Sequence, residues 1–182
     1  IAAILMVLEF PVPFAPSFYG LDFSELPALI GAFAYGPVAG VMIEFCKILI
    51  KLVLKPSSTA FVGELANFSI SCMLVLPASV IYLFKKSRKQ AILGTVVGTL
   101  IMTAFGSCFN AIYLLPKFSE LYGIPLDAII GMGTAINPAI HSISGLVLMC
   151  VVPLNLLKGG LVSLITILVY KKLSPILKAA HK

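Results

Sequence analysis

Asn155 and Lys158 offer the most chemistry in this sequence. They stand three apart, so on a helix they share one face. They sit at the head of an apolar run, 151–172, that reads VVPLNLLKGGLVSLITILVYKK. A buried amide and a buried ammonium are costly in lipid and need partners. Two readings are open on spacing alone. In one, Lys158 snorkels to the interface and Asn155 bonds a neighbouring helix. In the other, both point into a polar ligand site at one membrane face. Glu64 and Asn67 also share a helix face, and Asn110 stands near the end of another apolar run. Lys47, Lys51 and Lys55 recur at i, i+4 and i+8, with Glu44 one turn before Lys47.

Catalytic chemistry has little support. His141 and Ser144 hint at a membrane-embedded hydrolase, but they lie three apart on one segment. A Ser/His dyad needs a nucleophile that faces a separately held base. The other histidine, His181, is in the tail. There is no metal-ligand cluster and no phosphate-binding GxxxxGK[ST]. The chain therefore reads as a non-enzyme with no metal and no cofactor. Cys46, Cys72, Cys108 and Cys150 lie in apolar runs without paired spacing and read as reduced packing residues.

The elements that must position these residues are membrane helices. Hydrophobic residues make up 60% of the 182 and charged residues 11%, against about 25% charged in a soluble domain. Mean hydropathy is +1.09. The expected fold is an all-α integral membrane protein, a single domain over 1–182, with no alternating strand pattern of the kind a barrel needs. The net charge of +6 does not point to nucleic acid. Most basic residues cluster at Lys85, Lys86, Arg88, Lys89 and at Lys171, Lys172, Lys178, Lys182, as the positive-inside rule expects of cytoplasmic ends.

Taken in order, 1–10 reads as the later part of a first membrane helix that begins before Ile1. It has no charged n-region or cleavage site. Pro11, Pro13 and Pro16 end it, and 11–21 is a loop rich in proline and aromatics. Asp22 or Ser24 caps a second helix, which Gly36-Pro37 breaks after Tyr35. Helices follow over 38–54, 61–84 and 91–115, the last stopped by Pro116. In it Ala91, Thr95, Thr99, Thr103 and Ser107 recur every four residues, and Gly94 and Gly98 form a GxxxG. Both patterns suit close helix packing in lipid. Pro153 opens the final helix, 153–170, about 27 Å long at 1.5 Å per residue.

The segment 127–152 is apolar but broken by Gly131, Gly133, Pro138 and Gly145. If it spanned, the two basic clusters would lie on opposite sides of the membrane. Counting six transmembrane helices puts both clusters, and both termini, in the cytoplasm. The segment between helices five and six is then re-entrant or outward-facing, and irregular backbone at that depth needs protein or a cavity to cover it. Lys51, Lys55, Glu64, Asn110, Asn155 and Lys158 fall together in the outer half.

The same residues carry a resemblance. LDFSELPALIGAFAYGPVAGVMIEFCK (21–47), VGELANF (62–68), the Asn110 region, INP (136–138) and PLNLLKG (153–159) resemble the riboflavin-specific S-component of energy-coupling factor (ECF) transporters. These are vitamin-uptake systems of bacteria and archaea. Several separate motifs match in order over nearly the whole chain. The resemblance implies a substrate-binding membrane subunit that captures riboflavin outside the cell. It would act with a T-component and a pair of cytoplasmic ATPases. It also implies T-component docking on small residues of the first helix, of which Ala2 and Ala3 are present here. For the flat flavin ring it implies walls from the first loop (Phe14, Phe18, Tyr19, Leu21) and the broken segment (Met132, Ile136). For the ring edge and ribityl hydroxyls it implies Asn110, Asn155, Lys158 and Glu64, with Asn67 beside Glu64. Flavin mononucleotide is a second expected ligand, its phosphate meeting Lys158. Another small vitamin is the remaining alternative.

Overall fold

The computed structural model describes residues 1–57 and 59–179, with side chains through Val169. Side chains of the basic tail, from Lys171 to Lys182 and including His181, lie outside the described residues. The first elements are α1 (Ala2–Val7) and a short antiparallel ladder of β1 (Phe10–Pro11) with β2 (Gly20–Leu21). Then come α2 (Glu25–Tyr35), α3 (Pro37–Leu54) and α4 (Val62–Phe84). The remainder is α5 (Arg88–Phe109), α6 (Leu115–Tyr122), α7 (Leu126–Thr134), α8 (Ile143–Leu146) and α9 (Val152–Ala179). Asn110–Leu114 and Val147–Val151 are π-helical turns that join α5 to α6 and α8 to α9. The described chain is mostly helical, as composition demands.

Among the described residues, three rods are long and apolar enough to cross a membrane: Val62–Phe84, Arg88–Tyr122 and Ile143–Val169. Their outward sides carry Leu100, Ile112, Leu148, Leu164 and Leu168, all exposed, which is surface that suits lipid rather than water. The helix α3 carries Glu44, Lys47 and Lys51. Glu44 and Lys47 are turned inward and buried.

The helices 22–35, 38–54 and 61–84 fall within a few residues of expectation. Three features differ. The proline-rich loop is closed at its base by the β1–β2 ladder, which pairs Phe10 with Leu21 and Pro11 with Gly20. Pro116 does not stop the fifth helix, and Pro153 does not start the last one, which begins at Ile143. Both corrections have one physical cause. A proline in an α-helix cannot donate to the carbonyl four residues back, and its ring collides with it. Those carbonyls belong to Ile112 and Met149, and both lie inside the π turns. There the N–H of Leu115 reaches Asn110 O and that of Val152 reaches Val147 O. The wider turn lets the helix run through each proline.

The closest packing joins α4 to α5. A Cβ on Gly94 would lie 2.5 Å from Ala78 O, and one on Gly98 would lie 2.5 Å from Leu74 O. The repeat Ala91, Thr95, Thr99, Thr103 is buried along the same helix. Thr103 donates back to Thr99 O at 2.8 Å and Ser107 to Thr103 O at 2.7 Å, so these hydroxyls need no water. On α9, a Cβ on Gly160 would meet nothing within 4 Å. Gly98→Ala should therefore destabilise the protein in detergent by about 1–3 kcal/mol, the usual range for overpacking. Gly160→Ala should be neutral or stabilising. Thermal unfolding of the two variants beside the parent checks this, and equal losses would contradict it.

Candidate functional site

Between the first loop and the ends of α2, α4 and α9 lies a cavity of about 650 Å³, within the range of small-molecule sites. Phe18 and Tyr19 reach it from the loop, Phe118 from α6, and Met132 and Ile129 from α7. The polar lining comes from helices that the α4–α5–α9 packing holds in place. Glu64, Asn67 and Ser71 project from one stripe of α4, and Asn155 and Lys158 from α9.

Electrostatics at the cavity floor centre on Glu25. Its Oε1 takes Lys158 Nζ at 2.8 Å and the Ser71 hydroxyl at 2.6 Å, with Lys47 Nζ at 3.6 Å. Lys158 also donates to Asp22 Oδ2 at 3.0 Å. The other Asp22 oxygen accepts the Ser24 N–H at 2.8 Å, which ties the last loop residues to the start of α2. Higher on the wall Lys51 pairs with Glu64, whose second oxygen accepts from Ser57 at 2.8 Å and Thr59 at 3.1 Å. At the mouth Lys55 and Glu9 pair at 3.1 Å, both half exposed.

Asn110 sits in the first π turn and is already committed. Its Oδ1 accepts the Tyr19 hydroxyl at 2.8 Å, and its Nδ2 donates to Gly106 O at 2.8 Å. Burial, with a smaller contribution from Cys150, pushes the Tyr19 phenol above its ordinary range, so it remains a neutral donor. Asn110 thus ties the loop to the helix bundle. Asn155 Nδ2, Asn67 Oδ1 and Glu25 Oε2 are among the buried atoms that have no hydrogen-bond partner. All three residues line the cavity. Buried polar atoms are nearly always satisfied, and this donor and these two acceptors can hydrogen-bond what enters the cavity.

Of the expected site residues, the cavity brings together Phe18, Tyr19, Glu64, Asn67, Asn110, Asn155 and Lys158. Leu21 is buried in β2 behind the lining, and Ile136 is in an exposed turn beyond α7. Neither lines the cavity. Lys158 is not a snorkel, since its ammonium points inward to two carboxylates. Ala2 and Ala3 are buried on α1, which packs against α3. The outward side of α1 carries Ile4 instead. His141 and Ser144 are exposed and stand apart from the cavity. Sequence reasoning misses Asp22, Glu25 and Ser71: Asp22 reads there as a helix cap, and Glu25 as an ordinary acid of the first helical turn. The available signal was Lys158 itself: a cation deep in an apolar run requires an acid from another helix.

The family described as "ECF transporter, substrate-specific component" matches residues 1–170. This chain belongs to that family. It is 34% identical to riboflavin transporter RibU of Staphylococcus aureus (strain TCH60), over 98% of this chain and 87% of that protein. It is 32% identical to riboflavin transporter FmnP of Bacillus subtilis (strain 168), over 96% and 87%. A solved structure described as "Structure and mechanism of the S component of a bacterial ECF transporter" superposes with a TM-score of 0.72 at 35% identity, covering 97% of this chain and 90% of that one. Membership of a membrane-transporter family, with three apolar rods of spanning length, makes this S component a membrane protein.

In this S component the ion pairs differ sharply in worth. Removing one partner of a buried pair leaves an uncompensated charge and costs about 3–5 kcal/mol. Lys158→Ala leaves Asp22 and Glu25 without it, and should lower the unfolding free energy in detergent by about that much. Lys55→Ala breaks a half-exposed pair and should cost no more than about 1 kcal/mol. Denaturant titration of both variants checks the ordering, and equal costs would refute it.

Proposed function

We propose that this S component binds riboflavin at its outer face and delivers it inward with a T-component and two cytoplasmic ATPases. The observation that carries the reading is the set of unpaired atoms around the cavity: Asn155 Nδ2 as donor, Asn67 Oδ1 and Glu25 Oε2 as acceptors. One donor beside two acceptors suits a ligand that alternates carbonyl oxygens with N–H or O–H groups. The imide edge of a flavin ring and a ribityl chain have that character. Phe18, Tyr19 and Phe118 supply flat apolar contact beside them. The relatives named as riboflavin transporters support the same ligand. The protein is read as a non-enzyme without a resident cofactor.

The reading favours riboflavin over flavin mononucleotide. Glu9, Asp22, Glu25 and Glu64 line the cavity against Lys51, Lys55 and Lys158, and each of these ammoniums already has a carboxylate partner. A phosphate dianion finds no free cation among the described lining residues. The remaining architecture is proposed as one membrane domain with six crossings: α1, α2, α3, α4, the α5–α6 rod and the α8–α9 rod. Residues 126–142 form its outward-facing connection. Both termini face the cytoplasm, on the side of the Lys85–Lys89 cluster.

Purified protein should carry or take up flavin, seen in its visible absorption and in quenching of added riboflavin. Asn155→Ala should weaken riboflavin by about 1–3 kcal/mol, or roughly tenfold and more, because a hydrogen-bonding partner is lost in a buried site. Lys117→Ala, outside the cavity, should leave affinity unchanged, and flavin mononucleotide should bind more weakly than riboflavin. Absence of any flavin binding by folded protein would falsify the reading. For topology, a single cysteine at Lys178 in a cysteine-free background should resist an impermeant thiol reagent in intact cells. Labelling from outside would overturn the six-crossing arrangement.

A further inference from the structure

At the cavity floor and just beneath it the buried charges do not balance. Asp22, Glu25 and Glu44 are three carboxylates, each no more than 5% exposed. They share two ammoniums, Lys47 and Lys158. The neighbouring pair Lys51–Glu64 is balanced by itself. An excess negative charge at this depth in a low-dielectric interior is expensive, and such a group takes up a counter-charge rather than remain bare. Among the described residues no group of three or more metal-ligating side chains is arranged to hold a metal ion. A proton is the remaining counter-charge of suitable size.

The geometry also selects which carboxylate holds the proton. Glu25 faces both ammoniums and the Ser71 hydroxyl. Asp22 holds Lys158 and a backbone N–H. Glu44 has Lys47 alone as an ion-pair partner, 2.5 Å from its Oε2, and neither of its oxygens has a well-directed hydrogen bond. The charged and titratable groups that face it are Lys47 on its own helix, Glu25 from α2, Lys158 from α9 and the Cys72 thiol from α4. Lys47 is itself divided between Glu44, Glu25 and the Ser24 hydroxyl. Glu44 is therefore the least compensated of the three, and it does not line the cavity.

We propose that Glu44 is a proton-binding site beneath the ligand cavity, holding one proton when the cavity is empty and releasing it when a ligand donor engages Glu25. The coupling runs through charge. Glu25 Oε2 is unpaired and its residue lines the cavity. An N–H or O–H from a ligand placed there offsets part of the Glu25 charge. The negative potential at Glu44 then falls, Lys47 is freer to pair with Glu44, and the carboxyl gives up its proton to solvent. The balance is one O–H bond broken and one proton released, with no electron transfer. The coupling half rests on the riboflavin reading above; the proton site itself does not.

Infrared spectroscopy of the unliganded parent protein at neutral pH tests the site first. A protonated-carboxyl band should be present, should shift with carbon-13 glutamate labelling and should vanish in Glu44→Gln. No such band in the parent overturns the proposal, whatever the variant does. Gln mimics the neutral acid, so Glu44→Gln should unfold at the parent temperature, whereas Glu25→Gln, which removes a paired charge, should unfold earlier. Equal losses count against the site. If stability of the parent instead depends on sodium concentration, a metal cation and not a proton is the counter-charge, and the proposal is wrong.

The second arm is calorimetry with riboflavin in buffers of different ionisation enthalpy. Proton release should appear as a buffer-dependent heat. Since the bound state then holds fewer protons, affinity should rise with pH, by up to about tenfold per pH unit for one proton. Glu44→Gln should bind riboflavin without that dependence. Binding with the band unchanged and no buffer dependence overturns the coupling. No binding by folded protein is failure of the riboflavin reading, and the infrared result stands apart from it.

Discussion

Lys158 is held where three parts of the chain meet, and the rest of the site depends on how it is neutralised. It comes from α9, Asp22 from the end of the first loop and Glu25 from the start of α2. An ammonium in an apolar rod is tolerable only with acids brought to it. That requirement fixes where α2 begins and how the loop enters it, and Ser71 then ties Glu25 to α4. The polar floor of the cavity is therefore also a clamp between elements far apart in sequence. Hydrophobic packing alone would specify no such register, because lipid is as apolar as the helices themselves.

The walls rest on a different device. Small residues let α4 and α5 approach until Gly94 and Gly98 meet backbone carbonyls. This leaves α9 to close the other side, with Gly159 against Thr99. The two π turns then interrupt the α-helical pattern of both long rods at the level of the site. Asn110 lies in one of them, and Asn155 follows the other by one turn. π turns are often found at functional sites. Here each one reconciles a proline with a continuous helix while presenting an amide at the cavity.

Much of this was legible in the sequence, for reasons that differ by residue. The apolar runs and the threonine–glycine pattern of α5 report one-dimensional periodicity, and the fold follows them. Asn155, Lys158, Glu64 and Asn67 stood out because polar groups in apolar runs are conspicuous. Asp22 and Glu25 did not, because an acid at a helix start has an ordinary role in capping. Their partner lies more than a hundred residues away, and spacing carries no signal over that separation. Pro116 and Pro153 misled for a similar reason. Proline reads as a boundary locally, and only the observed backbone reveals a π turn that carries the helix through. Leu21 and Ile136 share the region of the site but not its surface, a distinction of side-chain direction that composition does not encode.

The loop over the cavity is held by apolar packing and few polar contacts, with no buried ion pair among its described residues. A two-residue β ladder closes its base, the Tyr19–Asn110 hydrogen bond holds the residue beside that ladder, and Ala15 and Tyr19 are buried in the core. The floor, by contrast, is locked by buried charge. Free energies of local opening in one protein run from near zero to the full unfolding value, and a loop without buried ion pairs should open at lower cost than a floor locked by them. Amide hydrogens of the loop should therefore exchange before those around Glu25 and Lys158. Exchange of solutes with the cavity is set by the cheap motion, and the shape of the polar floor by the expensive one. The rate of access and the durability of the binding surface are thus governed by different parts of the chain.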